Sequence, residues 1–338
     1  MIAVVIVKVV INVMRGVLNL PNLRKNIIPV SSSDFGDVER KVRVLNAIHK
    51  LKQTKIICVQ YEGNPRVDQP FLNKAKAKLG VEIKQIGPRD LIEAYNVIDE
   101  VRAEKLAKEW IENAEKVVEP TKEDIVKAAR LYFGIKRIME KENASAIVIN
   151  CWMCILENLL PAYPCLAFSQ LNNEGLVGTC EGDLACTLTQ LIVGYVGNKP
   201  GFVTDPSIDT ATNAVTHYHC VAPTKMDGPD GEVEPYIIRN NAGTYASVSL
   251  QVKMKVGQKV TIAKFVPFEK LLISTGVITG NIDTERACRT HVATKVKDAK
   301  KMLENYSGGL HRVLFYGEWT EEVKDLGKLL GFEVVEEM

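Results

Sequence analysis

The sequence lacks the features that mark most nucleotide-binding and nucleic-acid-binding proteins. No GxxxxGK[ST] or GxGxxG motif follows a candidate strand in the 338 residues, so nothing indicates a phosphate-binding loop. An excess of one charge is missing too, because 43 basic and 41 acidic residues leave a net charge of +2. Such a chain has no overall field that would attract nucleic acid or an anionic membrane surface. We therefore expect a small-molecule partner.

Membrane-spanning hydrophobic runs are also missing. The N-terminal run MIAVVIVKVVINVM is too short to cross a bilayer and is interrupted by Lys8 and Asn12. We predict that it forms a buried first strand. No positively charged stretch precedes it and no small-residue cleavage site follows it, so the expected location is the cytoplasm.

A zinc-finger or disulfide pattern is absent as well. The eight cysteines are scattered, and several lie in apolar runs where a thiol packs like a small hydrophobic side chain. Cys151 and Cys154 form a CxxC, but no second CxxC or HxxxH follows at finger or ribbon spacing. We expect both thiols to be buried packing groups at the end of the strand AIVIN. A redox pair or half of a zinc knuckle is the alternative.

The residues that are present suit an ordinary globular protein with two or three cores. The content is 46% hydrophobic and 7% aromatic. Short apolar runs alternate with helical patterns up to about residue 210, which predicts parallel sheets covered by helices. Beyond it, β-branched runs separated by Gly, Asn, Asp and Pro turns are typical of an antiparallel sheet or barrel.

These patterns predict an α/β fold class with three domains. Two Rossmann-like parallel α/β domains, at residues 1–118 and 119–210, precede a β-rich, barrel-like domain at residues 211–338. The first boundary rests on Glu119 and Pro120, followed by Thr121 as a candidate helix cap and by two acids that favour a helix N-terminus.

Carboxylates and histidines at the edges of the predicted elements form a candidate site. The residues are Glu181, Asp183, Asp205, Asp209, His217, His219 and His311. Carboxylate and imidazole together suit a divalent cation, and an oxygen-rich set favours manganese or magnesium. Each residue also has a local explanation, because acids compensate helix dipoles, Thr-Asp-Pro-Ser is ordinary turn chemistry, and single histidines often pack in strands.

Positions along the chain suggest how some of these groups meet. Asp205 follows the strand GFVTD, and ligands of α/β proteins bind at the carboxyl ends of parallel strands. His217 and His219 are two residues apart, so on a strand they share one face. His311 follows a flexible glycine pair before the apolar run RVLFYG.

Three stretches carry a resemblance to a known family. They are PCLAFSQLNNEGLVGTCEGDLACTLTQLIVGYVGNKPGFVTD, HCVAPTKM and GGLHRVLFYG. They resemble the metal-dependent L-fucose and L-arabinose isomerase superfamily, especially its shorter, fucose-isomerase-like members. The likeness extends over most of the chain from about residue 120, and the CEGD helix with Asp205 downstream is its strongest block.

The resemblance implies a site for Mn²⁺ or another divalent cation. A glutamate at the start of the helix corresponds to Glu181, the carboxylate after the next strand to Asp205, and the late histidine to His311. The arabinose branch implies a further histidine ligand, which we match to His219. Glu181 and Asp205 would also be the catalytic proton carriers. Asp183 and Asp209 would contact the ligand residues without binding the cation themselves.

The implied activity is aldose–ketose isomerisation of a sugar through a cis-enediol intermediate. Asn150 and Trp152, at the end of the strand AIVIN, would offer an amide and an aromatic wall to the sugar, although for Trp152 we favour core packing over this sugar contact. The family further implies a homo-oligomer, a trimer or hexamer, whose active site is completed near a subunit interface.

Other functions stay open at this point. One is a non-catalytic carbohydrate-binding or regulatory protein on the same fold, and another is an epimerase or isomerase for an unusual sugar. A cysteine nucleophile, Cys180 or Cys220, is a further alternative, although thiols flanked by apolar residues are usually inert. The chain is well short of full-length sugar isomerases, so the resemblance says least about the substrate.

Overall fold

The structure, a computed structural model, describes residues 27–30, 32–60, 67–241, 244–285 and 287–337. In these residues a parallel α/β region precedes an antiparallel β-barrel, so the predicted fold class is confirmed. The predicted N-terminal strand at residues 1–14 lies outside the described residues. No helix in the described ranges has both the length and the apolar character needed to cross a bilayer.

Helices and strands alternate through the first part of the chain. In order they are α1 Phe35–Gln53, β1 Lys55–Val59, α2 Gln69–Leu79, β2 Glu82–Ile86, α3 Pro88–Asn96, α4 Glu100–Asn113, β3 Lys116–Val117, α5 Lys122–Glu142, β4 Ala146–Ile149, α6 Cys151–Leu156, α7 Cys165–Asn173, β5 Val177–Thr179 and α8 Leu184–Gly197.

The predicted helix start at Thr121 is present at α5. Its hydroxyl accepts from the Asp124 N–H, and the Asp124 carboxylate accepts from the Thr121 N–H, which forms a capping box.

Four parallel strands form the sheet of this region, in the order β2-β1-β4-β5. The central strands β1 and β4 are continuous apolar runs, as a sheet covered by helices on both faces requires. The edge strand β2 has exposed positions. Strands from both sides of the predicted boundary at 118/119 join in this one sheet, and the division into domains stays a prediction.

The second part of the chain is mostly antiparallel. Its elements are β6 Phe202–Asp209, β7 Ala214–His219, β8 Tyr236–Asn241, β9 Thr244–Val252, β10 Lys259–Val266, β11 Lys270–Asn281, β12 Thr290–Val296, α9 Ala299–Glu304, β13 Arg312–Tyr316, α10 Thr320–Leu330 and β14 Glu333–Glu336.

Six of these strands close into a barrel. The order is β10-β13-β6-β7-β12-β11, and β11 pairs back with β10 to complete the ring. Strand β14 adds to β11 in parallel, and β3, β8 and β9 form a separate small sheet. The closed ring leaves no open edge among its six strands, and inward residues fill its interior.

Two local predictions are wrong. The sequence places Asp205 at the carboxyl end of a parallel strand, but β6 belongs to the barrel, continues to Asp209, and pairs Asp205 with Tyr218 of β7. The turn comes later, where Asp209 accepts from the Ala211 N–H. The strand AIVIN also ends earlier than predicted, because helix α6 begins at Cys151.

Candidate metal centre

The turn between β5 and α8 carries the first two carboxylates. Glu181 and Gly182 both have positive φ, +56° and +64°, and the Gly182 N–H donates to the Ile149 carbonyl at 2.9 Å. A Cβ at position 182 would lie 3.3 Å from the Cβ of Asn150, so glycine lets the turn pack closely on the end of β4. A non-glycine residue at positive φ is uncommon. This unusual turn presents the Glu181 carboxylate at the carboxyl edge of the parallel sheet.

The barrel supplies the groups that face Glu181. Its Oε1 lies 3.6 Å from Nε2 of His219, the last residue of β7, and its Oε2 lies 3.3 Å from Nε2 of His311, which precedes β13. The same His311 nitrogen lies 3.4 Å from Oδ1 of Asp205 in the middle of β6. The structure therefore brings together all four residues that the sequence proposes as ligands.

Hydrogen bonding defines the state of His311. Its Nδ1 lies 2.8 Å from Oδ2 of Asp183, and a carboxylate only accepts, so Nδ1 carries the proton. In the neutral ring the lone pair is then on Nε2 and points toward Glu181 and Asp205. Histidine ligands of metal ions are commonly oriented by a carboxylate in this way.

Two buried acceptors at the centre of the cluster have no hydrogen-bond partner in the described part of the chain. They are Nε2 of His311 and Oδ1 of Asp205. Buried acceptors that face each other without a donor are unfavourable unless a cation or an extra proton lies between them. Neighbouring ligands of an octahedral ion with bonds of about 2.1 Å are about 3 Å apart, close to the separations here. The residues present therefore fit a divalent cation.

The pKa values of these groups show the same convergence of charge. The facing imidazoles of His219 and His311 hold the pKa of Glu181 well below its ordinary value. Burial opposes protonation of His311, but Asp183 and Glu181 outweigh it and raise the pKa of His311 to about 9. Burial raises the pKa of Asp205. Without a metal, a proton on His311 supplies the positive charge that the carboxylates attract.

Asp183 is itself held by a buried lysine. It caps helix α8 by accepting from the Cys186 N–H at 2.8 Å, and its Oδ2 accepts from Nζ of Lys264, also at 2.8 Å. Burial alone would raise the pKa of Asp183, but His311 and the Lys264 ammonium reverse this and lower it strongly. Lys264 is 1% exposed and comes from β10 of the barrel. Lys264 is not among the residues predicted from the sequence, although a lysine inside the apolar run VTIAKFV is a signal of a buried partner.

Comparison with known proteins finds similarity to sugar isomerases. A sequence model of the L-arabinose isomerase central domain matches residues 72–198, which include Glu181 and Asp183. Proteins named sulfoquinovose isomerase from Priestia aryabhattai and Priestia megaterium are each 27% identical over 312 residues, 87% of this chain and 67% of theirs. One from Alkalicoccus urumqiensis is 24% identical over 258 residues, 73% of this chain and 57% of its own.

These matches are of the kind expected from a resemblance to the L-fucose/L-arabinose isomerase superfamily. The predicted resemblance is confirmed, and the matches indicate an enzyme of the isomerase class. The cluster lies at the junction of two structural regions, since Glu181 follows the parallel strand β5, Asp205 and His219 lie on barrel strands, and His311 directly precedes the barrel strand β13.

The second histidine of the THYHC stretch, His219, is the one that lies beside Glu181. His217 and His219 share one face of β7, and both are fully buried. His217 instead contacts Thr294 Oγ1 at 3.0 Å and Thr204 Oγ1 at 3.3 Å, and burial lowers its pKa to about 3. It is a neutral packing residue inside the barrel. Asp209, in the β6–β7 hairpin turn, likewise has contacts in that turn, with Ala211 and Thr212.

The residues at the end of β4 border the site in different ways. Asn150 is 7% exposed and packs against Gly182. Trp152 is 55% exposed, so the favoured prediction of core packing is wrong. Both CxxC thiols are buried as expected, and Sγ of Cys151 accepts from the Glu181 N–H at 3.3 Å. Through the main chain of Glu181, this contact connects the CxxC to the candidate metal centre.

The Asp183→Asn substitution should weaken Mn²⁺ binding about 10- to 100-fold. Asparagine still caps a helix, so α8 is kept, but it no longer fixes the proton on Nδ1 of His311 or neutralises Lys264. The measurement is a titration of metal-stripped protein with Mn²⁺, followed by the electron paramagnetic resonance signal of free Mn²⁺. Asp209→Asn is the matched control, and equal affinities in both variants would contradict the role of Asp183.

Proposed function

We propose that the protein is a metal-dependent aldose–ketose isomerase that acts on a sugar. The observation that supports it best is the meeting of Glu181, Asp205, His219 and His311, with two buried acceptors directed at one point. When His311 is neutral these two acceptors have no donor, and a cation bound between them would satisfy both. The isomerase names of the similar proteins support the reaction type.

Glu181, Asp205, His311 and His219 would hold Mn²⁺ or another divalent cation. Two carboxylates and two imidazoles are a donor set that such ions accept, and the oxygens favour manganese or magnesium over softer metals. When bound, the ion acts as a Lewis acid that stabilises negative charge developing on the two substrate oxygens. His219 can join this set only with its lone pair on Nε2.

The two carboxylates are suited to moving a proton between adjacent carbons. A carboxylate takes the proton from C2 of the aldose, a cis-enediol forms, and the proton is returned to C1 while a hydroxyl proton passes from O2 to O1. We assign this transfer to Glu181 and Asp205. Each carboxylate must keep one oxygen free of the cation, because an oxygen that is bound to the cation is a poor base.

Asn150 and Trp152 follow strand β4, next to the turn that carries Glu181 in the case of Asn150. Asn150 lies beside the turn that carries Glu181, and the indole of Trp152 is exposed next to it along the chain. An amide and an aromatic face are common partners of sugar hydroxyls and sugar rings. We propose these two residues as substrate contacts.

We also propose a cytoplasmic homo-oligomer, a trimer or hexamer, with the site near a subunit interface. The Glu181 side chain is 41% exposed although it belongs to a charged cluster, and Trp152 on helix α6 is exposed as well. A neighbouring subunit that covers this side would exclude water from the reacting sugar, which strengthens the electrostatic interactions of the site.

Removal and return of the metal tests the proposed function. The full chain is stripped with a chelator, reloaded with Mn²⁺, and incubated with a panel of aldoses and ketoses that includes sulfoquinovose. We expect conversion of at least one sugar, loss of conversion on stripping, and recovery on reloading. Asp205→Asn should remain inactive after reloading. A protein that binds sugar but converts none of the panel with Mn²⁺ bound would be a carbohydrate-binding module instead.

A further inference from the structure

A second group of potential ligands lies on the other side of His219. Nδ1 of His219 is 3.4 Å from Sγ of Cys220, and a ring nitrogen of His219 and the sulfurs of Cys220 and Cys288 all lie within 4.8 Å of one another. The fold brings Cys288 here, because β12 pairs with β7 and sets Thr290 opposite His219. Cys220 is 5% exposed. The proposed isomerase chemistry uses neither thiol.

The two ring nitrogens of His219 face different surroundings. Nε2 lies 3.6 Å from Glu181 Oε1, whereas Nδ1 accepts the Cys220 main-chain N–H at 2.9 Å. A nitrogen that accepts carries a lone pair, so the neutral ring has its proton on Nε2. In the described structure the lone pair of His219 is therefore on the thiol side.

Two thiols and an imidazole form a soft donor set. Such a set selects Zn²⁺ and its heavier relative Cd²⁺ over Mn²⁺ and Mg²⁺, which prefer oxygen. Around tetrahedral zinc, with Zn–S bonds of about 2.3 Å and Zn–N bonds of about 2.0 Å, a sulfur and a nitrogen are about 3.5 Å apart. The Cys220–His219 separation already has this value. Cys165 adds a third thiol 3.4 Å from Sγ of Cys220.

We propose that His219, Cys220 and Cys288 form a binding site for a thiophilic divalent cation of the Zn²⁺ class. The cation takes the Nδ1 lone pair in place of the Cys220 N–H and binds two thiolates. Two protons are released from the thiols for each cation bound, so charge and atoms balance.

Occupation of this soft site opposes binding of a metal at the carboxylates. A neutral imidazole has one lone pair, so a ring that serves a cation through Nδ1 keeps its proton on Nε2 and cannot ligate a cation beside Glu181. Thiophilic cations are therefore expected to act as inhibitors. This second step rests on the proposed function, whereas binding at the thiols does not.

Cadmium titration of the metal-stripped full chain tests the site. We expect a thiolate-to-Cd²⁺ charge-transfer absorbance that saturates at one equivalent, with two protons released per cation. Cys288→Ser should remove most of this absorbance and weaken Cd²⁺ binding at least ~10-fold. Cys58→Ser, a buried cysteine on β1, is the matched control and should behave like wild type.

Several outcomes separate this inference from the proposed function. Glu181→Gln should keep the cadmium absorbance although the carboxylate site is impaired, and Zn²⁺ should release bound Mn²⁺ from wild type but far less from Cys288→Ser. An absent charge-transfer band in wild type would overturn the site whatever the folding of the variants. A band that Cys288→Ser or Cys220→Ala leaves intact would also overturn it, because other thiols would then be the ligands.

Discussion

Replacing Glu181 with glutamine should reduce sugar conversion about 10³-fold or more. The change removes a proposed cation ligand and a proton carrier together, and general acid–base catalysis alone contributes about 10²- to 10⁴-fold. Glutamine has nearly the same size, and the side chain is 41% exposed, so we expect a melting temperature close to that of wild type. The measurement is kcat in saturating Mn²⁺, with bound metal determined in parallel.

An exposed glutamate provides the matched control for this experiment. Glu104 lies on the outer face of helix α4, and Glu104→Gln should retain full activity. Wild-type turnover in Glu181→Gln would show that the residue is a helix-start acid without a catalytic role. A loss of activity together with unfolding would be seen in the melting temperature and would not count in favour of the assignment.

The parts of the fold that local patterns encode are predictable. Short-range periodicity and turn chemistry predict the helix cap at Thr121, the buried strands β1 and β4, and the many strands after residue 210. The approach of Glu181 and Asp205 to two histidines follows from the resemblance, since spacing along the chain cannot bring them together.

The parts that depend on long-range pairing are not predictable from local signals. The sequence of strand β6 suggests one more parallel strand. In the barrel, however, β6 pairs antiparallel with β7 on one side and with β13 on the other. Asp205 therefore reaches the site from the barrel and not from the edge of the parallel sheet. The role of Lys264 cannot be predicted locally either, because its partner Asp183 is distant in sequence.

The last turn before His311 depends on a buried ion pair with the C-terminal end of the chain. Arg312 and Glu337 are both fully buried, and Nη2 of Arg312 lies 2.8 Å from Oε1 of Glu337. Arg312 also donates to the carbonyl of Gly309 at 3.3 Å and lies over the Tyr306 ring. In the sequence EVVEEM, nothing local distinguishes the buried Glu337 from its neighbour Glu336.

Replacing Glu337 with glutamine should lower the free energy of unfolding by about 3–5 kcal/mol, because it leaves the Arg312 guanidinium buried without a counter-charge. Denaturant unfolding measures this, and Glu336→Gln is the matched control. Glu336 is half exposed and pairs with Lys324, and surface pairs contribute about 0–1 kcal/mol. A Glu337→Gln protein as stable as the Glu336→Gln protein would contradict the buried pair.

A double variant separates the ion pair from the packing around it. Arg312→Met with Glu337→Met removes both charges, so it should be more stable than Glu337→Gln even though two side chains have changed. Recovery should be partial, because the Gly309 and His311 carbonyls lose the Arg312 donor. Since His311 directly precedes Arg312, the double variant should also bind Mn²⁺ more weakly than wild type. That result would tie the position of the proposed ligand to an ion pair formed with the C-terminal end of the chain.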